Sequence, residues 1–173
     1  GIQFRIKGKS FLGEKYDEII TTNAEGIAIL ENIKIGEGFT AEELNVPEGY
    51  VKPENQTFNV EANKEVEVNF YNAIIRGKIT LEKRSSEDNE LSGLKKGSPL
   101  PGTEYTIYDE NMEVLQVVTT GEDGKVTTDY IKYGKVYIRE TKAPTYYLID
   151  DAVHEMFIKK NEEIEFFEHT DKS

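Results

Sequence analysis

The sequence contains no cysteine and no tryptophan among its 173 residues. Without cysteine, neither a disulfide, nor a cysteine-ligated metal site, nor a thiol nucleophile can form. Small secreted domains often depend on disulfides because their cores bury little apolar surface. If this chain folds as small extracellular domains, another kind of cross-link has to take that place.

Basic residues and long apolar runs are also scarce. The 21 Lys and Arg residues are outnumbered by 33 Asp and Glu residues, and the formal net charge is −12. A dispersed minority of basic side chains argues against nucleic-acid binding, which needs clustered positive charge. No apolar run approaches the roughly 20 residues that span a bilayer. We therefore expect no nucleic-acid partner, no membrane span and no cofactor, and we expect any export signal or anchor of the parent protein to lie outside this sequence.

The two halves of the sequence share one pattern. The segments at 21–26, 42–50 and 58–68 match those at 119–124, 139–147 and 156–166 in the same order, 97 or 98 positions apart. A repeat of this length exceeds the solenoid range and is typical of a duplicated domain. We expect one domain at 1–73 and a second at 74–173.

Apolar residues alternate with polar ones in both halves, and turns rich in Gly, Asn and Asp separate the alternating stretches. Such a period of two indicates half-buried β-strands, and no stretch favours a helix. The sequence predicts an all-β fold of two tandem antiparallel β-sandwich domains. The strand GKITLEK at 77–83 has no counterpart before GIQFRIK at 1–7, so the first domain is expected to lack its opening strand in this sequence.

Residues 100–103, LPGT, come close to the LPXTG signal of a sortase substrate. The signal needs Gly after Thr103, where Glu104 stands, and it needs a following apolar span and basic tail. We therefore interpret this segment as the entrance to a strand.

Three positions on the predicted core faces carry polar residues. Lys83 follows Ile79 and Leu81, Glu140 follows two apolar residues on its strand, and Asn72 does the same in the first half. One interpretation is that each side chain reaches water at a strand end. The other is that each is buried, which requires pairing, neutralisation or reaction because an isolated buried charge is costly.

Reaction would produce a covalent cross-link. In a dry core a lysine loses its proton and becomes nucleophilic, while a glutamic acid keeps its proton and polarises a neighbouring Asn or Asp carbonyl. Attack of the amine then expels ammonia or water. The product is an amide between strands.

At these residues the chain resembles the Cna-B or SpaA-type, prealbumin-like (inverse Ig-like) domains of Gram-positive surface adhesins and pilins. The segment ETKAP at 140–144, followed by Tyr147, is similar to the pilin E-box ETxAPxGY, with Tyr146 where the family has Gly. GKITLEK resembles the first strand of the family, which ends in its bond-forming lysine. The first domain keeps Glu43 and Tyr50 of the same motif.

The resemblance implies a role for each polar core residue. Lys83 is the expected nucleophile, Glu140 and Glu43 are the expected proton-relay acids, and Asn72 is the expected acceptor of the first domain. In the second domain Thr170 matches Asn72 in the alignment, and Asp171 beside it would accept the bond only if a bulge turned it inward. Otherwise Lys83 and Glu140 would form an unreacted buried pair, or the domain would carry no bond. Lys7 is a poor substitute for a first-domain nucleophile because its neighbours take the core face.

The resemblance implies a structural stalk or spacer of a cell-wall-anchored adhesin or pilin, made rigid by intramolecular Lys-Asn or Lys-Asp isopeptide bonds. Such a bond forms once on its own chain, so we expect no enzyme activity. The expected location is the extracellular cell surface, and the expected partners are neighbouring domains of the same protein, with contact to host extracellular matrix made through other domains.

The alternative is an adhesin module that binds host matrix directly, which requires an exposed apolar patch or a groove. His154 and His169 have no partner at ligand spacing in the sequence, so they are expected to be surface histidines and no metal site is predicted.

Overall fold

The computed structural model of the chain describes residues 1–171, which fall into two compact units divided between Ala73 and Ile74. Twelve β-strands and no helix are found in this part of the chain, which confirms the all-β prediction. None of these residues forms a helix of the length and hydropathy that cross a bilayer.

The first unit contains one four-stranded antiparallel sheet in the order β2-β1-β3-β4. Its strands are β1 (Gln3–Lys9), β2 (Lys15–Thr21), β3 (Gly36–Glu43) and β4 (Gln56–Val60). The register places Phe4 opposite Glu43 and Ile6 opposite Ala41, so these four side chains share one face. On that face the Phe70 ring lies 4.8 Å from the Phe4 ring, and Asn72 is hydrogen-bonded to Glu43.

The second unit contains two sheets, as a sandwich requires. One has the order β11-β10-β6-β7 and the other β12-β5-β8, with the short β9 paired to the far end of β5. The strands are β5 (Arg76–Ser85), β6 (Glu104–Tyr108), β7 (Val114–Thr119), β8 (Lys125–Thr127), β9 (Ile131–Lys132), β10 (Gly134–Lys142), β11 (His154–Ile158) and β12 (Ile164–Asp171).

One strand pair departs from the antiparallel prediction. β12 runs parallel to β5 in a continuous register from Ile164 opposite Lys78 to Asp171 opposite Ser85. Parallel neighbours cannot be joined by a tight hairpin. The pairing is possible because β5 and β12 are the first and last strands of the unit and the rest of the unit lies between them in sequence. Because β8 pairs with its other edge, β5 is a central strand.

The core of the second unit lies between its two sheets. It consists of eight buried apolar residues, Ile79, Leu81, Tyr105, Ile107, Ile131, Val136, Ile138 and Ile158. β5 and β10 contribute alternate residues to it, and the next inward positions along these strands are Lys83 and Glu140. The LPGT segment also lies against this unit, since Leu100 and Thr103 are buried and Thr103 Oγ1 donates to the Leu100 carbonyl.

Two glycines in left-handed turns of this unit provide a test of the packing around Lys83. Gly102 (φ 78°) and Gly124 (φ 75°) have similar backbones, but a Cβ on Gly102 would meet no atom within 4 Å. A Cβ on Gly124 would lie 2.7 Å from the Lys83 carbonyl oxygen and 3.0 Å from the Leu100 nitrogen. Backbone atoms cannot move aside as a flexible side chain can.

We therefore expect Gly102→Ala to cost about 1 kcal/mol of unfolding free energy for the left-handed backbone. Gly124→Ala should cost about 1–3 kcal/mol more because of the added clash. Urea denaturation of both variants measures the difference. Equal losses would contradict the close approach of the Gly124 turn to β5.

Candidate functional site

Lys83 is buried in the interior of the second unit. Its side chain is 0% exposed and so is that of Glu140, which extends from β10 in the opposite sheet. The inward face of β5 is covered by the opposite sheet, in which Tyr105 and Glu140 are also buried. The interpretation in which these two side chains reach solvent at strand ends is therefore wrong.

Three ionisable side chains meet at this point. Lys83 Nζ lies 2.5 Å from Asp171 Oδ1 and 3.1 Å from Glu140 Oε2. Asp171 belongs to β12, beside β5 in the same sheet, and its side chain is 1% exposed. The amine is thus held against a carboxyl group of the neighbouring strand, with a second carboxyl group facing it across the sandwich.

The Glu140 carboxyl group has an unusual proton affinity. Burial raises the pKa of Glu140 to about 7, a hydrogen bond with Asp171 adds to the rise, and Lys83 opposes it. Glu140 Oε1 and Asp171 Oδ2 are both buried and have no hydrogen-bond partner among the described residues. A proton held by Glu140 allows it to donate the hydrogen bond to Asp171 that contributes to its raised pKa. With that proton the cluster carries one ammonium and one carboxylate, and its net charge is zero.

The structural counterpart of Asn72 is Asp171, so the sequence alignment of Asn72 with Thr170 was wrong. β4 ends at Val60 and β11 at Ile158, 98 positions later. The turns that follow contain left-handed residues at Asn63 and Glu162, which are 99 positions apart. The second unit therefore has one extra residue in this turn. The extra residue, and not a bulge within β12, points Asp171 inward and leaves Thr170 exposed.

His169 is a further member of the cluster that the sequence analysis missed. Its Nδ1 lies 2.7 Å from Lys83 Nζ and 3.1 Å from the Tyr105 hydroxyl, and its Nε2 lies 2.9 Å from Asp150 Oδ2. The prediction of a surface histidine was wrong, because this side chain is 9% exposed. Burial lowers the pKa of His169, which favours the neutral ring as an acceptor for the lysine ammonium.

The prediction that the two histidines are isolated was also wrong. Ligand-type atoms of Asp150, His154 and His169 lie within 4.8 Å of one another. β11 and β12 bring the histidines together although 15 positions separate them in the sequence. The period of two would have indicated the inward position of His169 had Asp171 been aligned correctly, since the two residues share one face of β12.

The first unit contains part of the same arrangement. The Asn72 Nδ2 atom lies 3.1 Å from each carboxyl oxygen of Glu43, which is 0% exposed. Across residues 1–171 no basic side chain forms an ion pair with Glu43, and Lys7 is exposed on the outer face of β1. The unit therefore holds an acid and an amide in contact, and its own described residues supply no amine.

The segments that follow the two acids have matching turns. Tyr146 has a φ of 70°, and its counterpart in the first unit is Gly49 with a φ of 84°. A left-handed backbone is strained for residues other than Gly, which explains why Gly is typical at this position. Tyr146 adopts this backbone despite the strain. The next residue, Tyr147, is buried and donates a hydrogen bond to Ser85 Oγ at 3.1 Å.

Three proteins illustrate what this chain is similar to. Over its whole length, this chain is 28% identical to the TIE protein of Bacillus anthracis, with a TM-score of 0.77, and it spans 31% of the TIE chain. A 59-residue stretch is 30% identical to the trypsin-resistant surface T6 protein of Streptococcus pyogenes serotype M6 and covers 34% of this chain and 11% of that protein. BcpA, the major pilin subunit of Bacillus cereus, aligns over 99% of this chain and 59% of its own at 14% identity, with a TM-score of 0.46.

The family comparison covers almost the entire sequence. The model of the SpaA prealbumin-like fold domain matches residues 1–74 and again residues 77–173. These two matches agree with the two β-structured units and with the duplicated sequence pattern. The chain therefore belongs to the SpaA prealbumin-like domain family and contains two copies of that domain in tandem.

Proposed function

We propose that this chain is a stalk segment of a bacterial surface protein or pilin, and that an amide between Lys83 and Asp171 stiffens its second domain. The observation that carries the proposal is the 2.5 Å contact between the Lys83 amine and the Asp171 carboxyl group in a core closed to water. The similarity to a streptococcal surface protein supports a location on the cell surface. The partners in this role are the adjoining domains of the same protein.

The chemistry needs only the groups that meet in the cluster. Lys83 passes a proton to Asp171 and becomes a neutral amine, while Glu140 donates its own proton to the Asp171 carbonyl oxygen. The amine nitrogen then bonds to the carboxyl carbon of Asp171. The excess proton on nitrogen returns to Glu140, and the carbon–oxygen bond breaks to release water. The products are one neutral amide, one water molecule and a regenerated Glu140, so the reaction occurs once and has no turnover.

Burial of the reactants favours this outcome. Two charges held away from water are stabilised only by each other and by a few hydrogen bonds, and their desolvation cost remains. Condensation removes both charges and leaves an amide. His169 and the backbone N–H of Asp150, which donates to Glu140 Oε2 at 3.2 Å, fix the positions of the reacting groups.

The position of the bond suits a stalk. Lys83 lies on the first strand of the second domain and Asp171 on the last. Tension applied to the two ends of the domain would pass along β5 to Lys83 and across the amide to Asp171, at the end of β12. The chain between these residues would carry no load, so the domain could not be extended by force.

The first test is an intact-mass measurement of the chain. Formation of the bond should lower the mass by about 18 Da, the mass of the water that condensation releases. Lys83→Ala should restore the full mass, whereas Lys159→Ala at an exposed position should retain the loss. A full-mass wild-type chain, or a loss assigned by peptide mapping to residues other than Lys83 and Asp171, would overturn the proposal.

The role of Glu140 as a proton relay predicts a second result. Glu140→Gln keeps the size of the side chain but has no carboxyl proton to transfer, so the variant should fold and retain its full mass. Glu155→Gln, at an exposed position on β11, is the matched control and should form the bond. Mass spectrometry after refolding measures both variants, and bond formation in Glu140→Gln would show that another group relays the proton.

Single-molecule force spectroscopy tests the mechanical role. With the bond formed, pulling on the ends of the second domain should release almost no chain. In Lys83→Ala the segment from 84 to 170 becomes free to unravel, which should add about 300 Å of contour length at roughly 3.5 Å per residue. Equal extension of the wild type and the variant would mean that the bond does not carry the load.

A further inference from the structure

The two histidines of the chain meet at one edge of the second unit's sandwich. His154 begins β11, the edge strand of one sheet, and His169 lies on β12, the edge strand of the other. Among the described strands, β11 pairs with β10 and β12 pairs with β5, and no backbone pairing joins β11 to β12. Side-chain contacts such as that of the His154 ring with the Phe167 ring, 5.1 Å apart, hold the two sheets together at this edge.

Asp150, in the segment between β10 and β11, completes a group of three ligand-type side chains. Its Oδ2 atom lies 2.9 Å from His169 Nε2 and 4.0 Å from His154 Nε2, and ligand-type atoms of the three residues all lie within 4.8 Å of one another. Tetrahedral ligands at about 2.1 Å from a zinc ion stand about 3.4 Å apart. Since the two distances from Asp150 lie on either side of that value, movements of side chains alone would bring the group around one ion.

The Nε2 atom of His154 points to a ligand. It is buried and has no hydrogen-bond partner among the described residues, although the ring as a whole is partly exposed. A buried polar atom without a partner is costly and rare in folded proteins. An ion between His154 and Asp150 would give this nitrogen a partner. Because both side chains are partly exposed, the ion could enter from solvent and keep water as a further ligand.

Neighbouring groups orient two of the three ligands. Asp150 Oδ1 accepts a hydrogen bond from the Ala152 backbone N–H at 3.0 Å, which leaves Oδ2 directed towards the histidines. The Tyr105 hydroxyl lies 3.1 Å from His169 Nδ1, the ring nitrogen on the side away from Asp150. Contacts of this kind fix the orientation of metal-binding carboxylates and imidazoles. The ligands are therefore held in place by contacts that leave their metal-binding atoms available.

We propose that His154, His169 and Asp150 bind one divalent transition-metal ion of the zinc class, which links β11 to β12 across the edge of the sandwich. Two imidazole nitrogens and one carboxylate oxygen are a ligand set that zinc accepts, with a fourth position left for water. Calcium and magnesium prefer oxygen ligands, so the two histidines select against them. The ion would join the two sheets in a chain that has no cysteine to do so.

Metal binding changes the hydrogen bonds of His169. When Nδ1 accepts from the Lys83 ammonium, Nε2 carries the ring hydrogen and donates it to Asp150 Oδ2. An ion at Nε2 takes the place of that hydrogen, so the ring hydrogen has to lie on Nδ1, where the Tyr105 hydroxyl oxygen can accept it. In the amide product of the proposed function the Lys83 nitrogen is no longer an ammonium and does not compete for Nδ1. The three ligand atoms themselves take no part in the proposed amide.

Titration of the full chain with zinc chloride tests the site. Isothermal titration calorimetry should show one ion bound per chain, and zinc should raise the midpoint of thermal unfolding because it binds the folded state. The chain contains two histidines, so imidazole ¹⁵N resonances report on this site alone. One equivalent of zinc should shift the resonances of both rings, and calcium chloride should shift neither.

Substitutions assign the ligands. His154→Ala should weaken zinc binding by more than about tenfold, because loss of a partner that only orients a ligand commonly costs about 10- to 100-fold. Asp150→Asn keeps the size of the side chain, removes its charge and should weaken binding similarly. Asp151→Asn, at the exposed neighbouring position, is the matched control and should bind zinc as the wild type does. Circular dichroism establishes that each variant is folded, and either ligand variant alone decides the assignment.

Two results would overturn the site. The first is the absence of saturable one-to-one zinc binding by the wild-type chain. The second is undiminished binding in His154→Ala or in Asp150→Asn, which would mean that other groups of a chain with a net charge of −12 hold the zinc.

The intact mass of the same preparation separates this proposal from the proposed amide. A full-mass chain that binds zinc through these residues would overturn the amide and support the metal site. A chain that is lighter by about 18 Da and binds no zinc would overturn the metal site and support the amide.

Discussion

The second domain depends on one buried ammonium held between two carboxyl groups. A lysine at this depth would be strongly destabilising alone, and each carboxyl group would be as well. Together they reduce the charge of the cluster to zero, provided that Glu140 keeps a proton, which its raised pKa favours. The same closeness that makes the group tolerable in the folded state places the amine 2.5 and 3.1 Å from the two carboxyl groups. In the proposed function, stability and reactivity therefore have one origin.

A chain without cysteine cannot stabilise its small domains with disulfides, so a buried group able to form another cross-link would be useful to it. Each domain is small, and the partly exposed apolar residues of the first domain show how little surface such a core can cover. A lysine-derived amide would tie the first strand of the second domain to its last strand. The parallel β5–β12 pairing makes this possible because it places the end of the first strand beside the end of the last strand.

The two domains differ in the completeness of this arrangement. The second has an amine and two carboxyl groups in contact, while the first has a carboxyl group and a side-chain amide in contact. The same sequence pattern thus forms two sheets in one copy and one sheet in the other. In the second unit β5 supplies both the pairing partner of β12 and the amine, and the described residues of the first unit contain no strand in that position.

Local pattern was sufficient to predict the all-β class, the duplication and the inward positions of Lys83, Glu140 and Asn72, because a period of two directly reports which face a side chain takes. It was insufficient for Asp171 and His169. One extra turn residue reverses the facing of every later residue in a strand, and a sequence alignment without coordinates placed it incorrectly. The contact of His169 with Lys83, and the parallel pairing that creates it, join residues 86 positions apart. Such contacts follow from how strands assemble in space, and no local pattern of polar and apolar residues encodes them.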